Sequence, residues 1–99
     1  PILSLGGIGV ISVLSNVRPA AVHDMVMEYL NGNIKSALDI QLKYLDLIEA
    51  LFCEVNPIPV KAAMKLLGYD VGGLRLPLTE LEDANRARLK ESMESLKEN

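Results

Sequence analysis

The sequence predicts a mainly helical fold with one short strand that has no partner in the chain. Three observations carry this reading. Apolar residues recur at helical spacing through most of residues 19–99, recognisable start and stop residues bound the helices, and Val10-Ile11-Ser12-Val13-Leu14 is a short β-branched run that is apolar on both faces. Such a run suits a buried parallel strand. A strand needs neighbours for its backbone N–H and C=O groups, so the pattern calls for strands that these residues do not contain.

The elements follow in order. Gly6-Gly7-Ile8-Gly9 reads as a flexible turn ahead of the strand, and Ser15-Asn16 offers turn or cap chemistry after it. The first helix is expected over Pro19–Leu30, with Pro19 in its first turn and Gly32 in the left-handed position after its end. Asn33 is placed to cap a second helix running to about Cys53. At 100° per residue Lys35, Asp39, Lys43, Asp46 and Glu49 share one face of it, while an arc from Ile34 to Phe52 covers about half its circumference. An arc that wide predicts contact with two neighbouring elements or with a second subunit. Gln41 points into the arc, as a hydrogen-bonded buried amide or as an interface contact; the buried amide is the favoured reading. Asn56 as cap and Pro57 at the first helical position open a third helix that ends at Gly68. Thr79 and Glu82 have capping-box spacing ahead of a last helix from about Glu80. That helix carries a narrow stripe of Leu81, Leu89, Met93 and Leu96, which predicts a surface position and a frayed end near Asn99.

Composition removes several function classes. The 99 residues are 49% apolar and 23% charged, an ordinary globular balance sized for one small domain. One Cys and one His provide neither a disulfide framework nor a Cys/His metal site, so no metal is expected. No apolar run approaches the ~18 residues of a membrane span, and no basic lead-in marks a secretory leader. A net charge of -3 argues against nucleic-acid binding. The start at Pro1, without Met, reads as the middle of a longer chain.

Single residues give little chemistry. Lys61 and Lys65 lie one helical turn apart, and a neighbouring cation is one way to activate a lysine nucleophile; two solvated lysines is the plainer reading. His23 reads as a surface residue. Cys53 sits beside Glu54, and an adjacent acid disfavours the thiolate. The glycine-rich turn precedes its strand, whereas phosphate-cradling loops follow one. On residues alone the chain holds no complete active site.

Three motifs together carry a resemblance. Leu5-Gly6-Gly7-Ile8-Gly9-Val10-Ile11-Ser12-Val13-Leu14-Ser15-Asn16-Val17 resembles the eighth barrel strand and following loop of the dihydrodipicolinate synthase family. Leu51 to Lys61, containing Asn56-Pro57-Ile58-Pro59-Val60-Lys61, is similar to that family's signature before its third C-terminal helix, although many members have Pro where this chain has Val55. Leu74-Arg75-Leu76-Pro77-Leu78-Thr79 is similar to the segment before the last helix. The resemblance implies the last strand and C-terminal helices of a (β/α)8 TIM barrel with an appended helical domain. Residues 1–18 would be the last strand and its loop, and 19–99 the last barrel helix and the C-terminal helical domain. A whole barrel takes about 250 residues.

The implied reaction is a lyase step of lysine and diaminopimelate biosynthesis, in which pyruvate, held as a Schiff base on a lysine, condenses with aspartate semialdehyde. No cofactor is implied, and the setting is a cytoplasmic homo-oligomer. The Schiff-base lysine and the proton-relay tyrosine belong to earlier strands, so no catalytic residue carries over and the isolated chain is expected to be inactive. One position does carry over. Ile11 matches the isoleucine whose backbone lies beside bound pyruvate, a role compatible with that of a barrel-core residue. Lys61 belongs to the signature and is not the Schiff-base lysine.

Two other readings stand beside this one. One is a related pyruvate-dependent aldolase, either an N-acetylneuraminate lyase or a keto-deoxy sugar-acid aldolase. The other is a self-standing helical interaction module built on the second helix's apolar arc. Exposed apolar surface also predicts self-association of the chain, by exchange of Gly6–Leu14 between copies.

Overall fold

A computed structural model describes residues 1–96. The chain divides into two compact units, Pro1–Leu45 and Asp46–Asn99. The frayed end expected near Asn99 lies outside the described residues.

In the first unit, a 3-10 turn at Leu3–Leu5 ends on Gly6, whose φ of 100° is open to glycine at little cost. Residues 7–12 then run without regular structure, and no strand forms among the described residues. The expected strand over Val10–Leu14 is therefore absent. Its backbone has no adjacent strand to pair with, and its last residue instead opens α1, Leu14–Val17. Helix α2, Pro19–Leu30, starts on Pro19 as expected. Its end is a complete Schellman motif. Gly32 adopts φ 90°, its N–H bonds to the Tyr29 carbonyl at 3.0 Å, and the Asn33 N–H bonds to the Glu28 carbonyl at 2.8 Å. Helix α2 packs against α1 and against α3, Ile34–Lys43, around buried Leu14, Val17, Val22 and Ala37. Asn33 is the cap residue of α3, but its side chain makes no capping bond.

The single helix expected to run to Cys53 is two. Tyr44 takes φ −98° and ψ 4°, in the sparsely populated bridge region, and α4 begins at Leu45 and ends at Ala50. No Gly or Pro announces the break. It falls where one compact unit gives way to the next, so packing within each unit overrides local propensity.

In the second unit, Leu47, Ala50 and Leu51 are fully buried. Helix α5 is Ile58–Leu66, later than expected, because Pro57 and not Asn56 stands at the cap position. The Ile58 N–H already bonds back to the Val55 carbonyl at 2.8 Å, and the first helical bond runs from the Lys61 N–H to the Pro57 carbonyl. Exposed Asn56 caps nothing. Helix α5 closes with a second Schellman motif, in which Gly68 at φ 97° bonds to Lys65 and Tyr69 bonds to Met64. Helix α6, Asp83–Ser95, packs on α5 over buried Ile58, Val60, Ala63, Leu81, Leu89 and Met93.

The Thr79–Glu82 capping box does not form, and α6 starts later than expected. Among the described residues no helix is long and apolar enough to cross a membrane.

Candidate functional site

The start of α6 is set from a distance. Glu54 Oε2 accepts the Glu82 N–H at 3.0 Å and the Asn85 Nδ2–H at 2.7 Å. A carboxylate at a helix N-terminus satisfies a free donor and complements the helix dipole. The capping acid thus comes from 28 residues upstream, which displaces the local Thr79 device. Reasoning from sequence gave Glu54 no part beyond its effect on Cys53. Its only sequence signal is its place inside the Leu51–Lys61 motif.

The same motif supplies a second tie. Lys61 Nζ donates to the Gly73 carbonyl at 2.6 Å, which holds the loop after α5 against that helix. Lys65 Nζ stands 4.0 Å from a Glu80 carboxylate oxygen, and Arg86 donates to the Leu81 carbonyl at 3.3 Å. These cations border a narrow cleft with Ile58, Ala62 and Leu74. Each already faces an oxygen of the protein itself. Lys65 is exposed and Lys61 half-buried, so neither stands in the apolar, unpartnered setting that activates an amine nucleophile.

The other singled-out residues are dispersed. His23 is exposed, with Nδ1 3.4 Å from the neighbouring Asp24 carboxylate. Cys53 is a half-buried free thiol. Gln41 is not the buried amide favoured from sequence. It is half-buried, and it borders an open, mostly apolar groove with Met25, Tyr29, Ile34 and Leu38. The outward stretch of the α3 arc, at Ile34, Leu38 and Leu42, leaves that amide near the surface.

Ile11 lies in the irregular stretch and is fully exposed, Ile8 nearly so and Val10 more than half. Among the described residues no backbone hydrogen bond engages residues 8–11. Their carbonyl and amide groups are open to a ligand or to another segment. One residue on, Ser12 and Ser15 bond reciprocally: Ser12 Oγ accepts the Ser15 N–H at 3.1 Å, and Ser15 Oγ donates to the Ser12 carbonyl at 2.7 Å. The first unit therefore offers backbone groups at Ile11, followed in sequence by serine hydroxyls that are already bonded to one another's backbone.

Comparison with known proteins bears on what these features serve. A family model described as the dihydrodipicolinate synthetase family matches residues 1–96. The 4-hydroxy-tetrahydrodipicolinate synthase of Lachnoclostridium phytofermentans is 55% identical over 96 residues, which are 97% of this chain and 33% of that protein. The protein of the same name from Caldicellulosiruptor bescii is 57% identical over 93 residues, 94% of this chain and 32% of its own length. Among solved structures, DHDPS from Cyanidioschyzon merolae with lysine bound superposes at a TM-score of 0.93 and 44% identity, covering 96% of this chain and 32% of that one. Dihydrodipicolinate synthase from Thermotoga maritima gives a TM-score of 0.92 at 40% identity, over 95% and 32% of the two chains. The chain thus spans about a third of the length of the relatives it matches, and it belongs to the dihydrodipicolinate synthetase family.

Proposed function

We propose that this chain is the C-terminal part of a 4-hydroxy-tetrahydrodipicolinate synthase, a lyase of lysine and diaminopimelate biosynthesis. The full-length parent would condense pyruvate, held as a Schiff base on a lysine, with L-aspartate 4-semialdehyde, as a cytoplasmic homo-oligomer. Residues 1–18 supply the last barrel strand and loop, and 19–99 the last barrel helix and the C-terminal helical domain. The observation that carries the reading is the match of nearly the whole chain to synthases of that name, over one third of each.

Three features of the chain support the division of labour. The apolar run at Ile8–Ile11 is exposed and its backbone unpaired, as suits a strand whose partners come from elsewhere. The two lysines nearest one another on a helix are engaged by Gly73 and Glu80. No backbone group of Ile11 is committed among the described residues, so the proposed place beside the substrate is open to it. In this reading Ile11 binds substrate through its backbone, and no residue of the chain is catalytic.

A steady-state assay of the full-length parent tests the proposal. It should consume pyruvate together with L-aspartate 4-semialdehyde, and it should turn over sugar-derived aldehydes far more slowly. Preference for an N-acyl sugar or a sugar-acid aldehyde would overturn the substrate assignment.

A further inference from the structure

Helices α2 and α3 pack against one another and leave an open groove beside them. Met25 and Tyr29, one turn apart, border it from α2, and Ile34, Leu38 and Gln41 border it from α3. Ile34 and Leu38 are 56% and 52% exposed, while Ala37 between them is buried. The groove has a volume of about 200 Å³, and its lining carries no charged side chain among the described residues. Small-molecule sites run to ~300–1,000 Å³ and need a few convergent polar groups. A mostly apolar groove along two packed helices suits instead the side-chain ridge of a third segment. Pro1 stands on the rim of the same groove. Its carbonyl accepts the Ser4 hydroxyl at 2.6 Å, and the Ile2 carbonyl accepts the Leu5 and Gly7 N–H groups at 3.1 and 3.0 Å. The turn that carries these bonds packs on α2. The chain thus meets the groove at a fixed point.

We infer that this groove is the seat of the segment of the parent that directly precedes Pro1, which covers Ile34 and Leu38 with an apolar face of its own. The inference rests on the proposed place of this chain at the C-terminal end of its parent. The chain spans about a third of its relatives, and in that reading the remainder enters through Pro1, at the groove's rim. A segment tethered there faces the groove at a high effective concentration. A second copy of the chain would first have to meet the cost of association. Ile34 to Gln41 covers about 10 Å of α3, so about seven helical residues span it and the seat lies within the ~20 residues before Pro1.

The test uses the full-length parent with the photoreactive residue p-benzoylphenylalanine in place of Leu38 and, in a second protein, in place of Ile34. Each is irradiated, separated on a denaturing gel and mapped by peptide mass spectrometry. The product should keep the mass of one chain and join the probe to a residue within the ~20 before Pro1. A product of doubled mass would place a second copy in the groove and overturn the inference. A join to a more distant part of the same chain would overturn it too. So would the absence of any cross-link at both positions, which would show the groove open in the parent. The Ile34 probe provides the test should the Leu38 probe prevent folding. The expected cross-link in a parent that does not use pyruvate would overturn the functional reading alone. A parent in which no such segment precedes Pro1 overturns the proposed C-terminal place, and the inference with it.

Discussion

From Asp46 onward, the polar groups that join loops to helices find partners inside their own unit. Glu54 caps α6, Lys61 holds the Gly73 carbonyl, and Leu47, Leu51 and Leu89 are wholly enclosed. Both units expose apolar side chains, Ile8 and Ile11 in the first and Val55 and Leu76 in the second, but in Pro1–Leu45 the exposed run Ile8–Ile11 also has an unpaired backbone, and a segment with strand composition forms no strand. The contrast teaches how self-sufficiency is written into a chain. Helices close their hydrogen bonds within themselves and need only an apolar face covered. A strand needs other chain segments for its backbone and, when buried, for both faces.

The largest effect that sharpens this contrast is on association. The isolated chain should form multimers through its exposed apolar residues, and Ile8→Asp with Ile11→Asp should shift it strongly toward monomer in light scattering. An unchanged mass distribution would remove the first unit's apolar run from the account. The next effect is on stability. Leu89→Ala empties a fully buried site on α6 and should cost about 2–5 kcal/mol in urea unfolding. Ile11→Ser in the isolated chain should cost less than about 0.5 kcal/mol, because the side chain is already in solvent. Equal costs at the two positions would erase the distinction between the units.

Smaller effects follow at the caps. Glu54→Ala should cost about 1 kcal/mol and speed amide exchange at Glu82, the N–H it leaves without a partner. Unaltered exchange there would show that the long-range cap is not what holds the start of α6. Gly68→Ala has open space around its new methyl but must keep φ at +97°, a cost of about 1 kcal/mol. The smallest effect is expected at the exposed Lys35–Asp39 pair on α3, where Lys35→Ala should change stability by no more than about 0.5 kcal/mol.

What the sequence made legible follows the same physics. Gly32 and Gly68 end their helices as read, because a Schellman motif is a local device whose residues are adjacent. Pro19 opens α2 for the same reason. Three other features were decided at long range. The start of α6 depends on Glu54, whose partners lie 28 and 31 residues away, so the local Thr79–Glu82 pattern pointed to the wrong cap. The break at Tyr44 carries no local breaker and coincides with the boundary between units. The strand over Val10–Leu14 was read from composition, yet composition cannot provide its neighbours. The substrate role proposed for Ile11 rests on a resemblance alone, since nothing in its own chemistry distinguishes it from a core residue.

We propose that this third of the family's length brings backbone and scaffold while the reactive lysine belongs to the rest. Borohydride reduction in the presence of pyruvate, read by intact-mass spectrometry, tests it directly. The full-length parent should gain one reduced pyruvyl group per chain, and the isolated 99-residue chain should gain none. A stable adduct on the isolated chain, at Lys61 or Lys65, would contradict the claim.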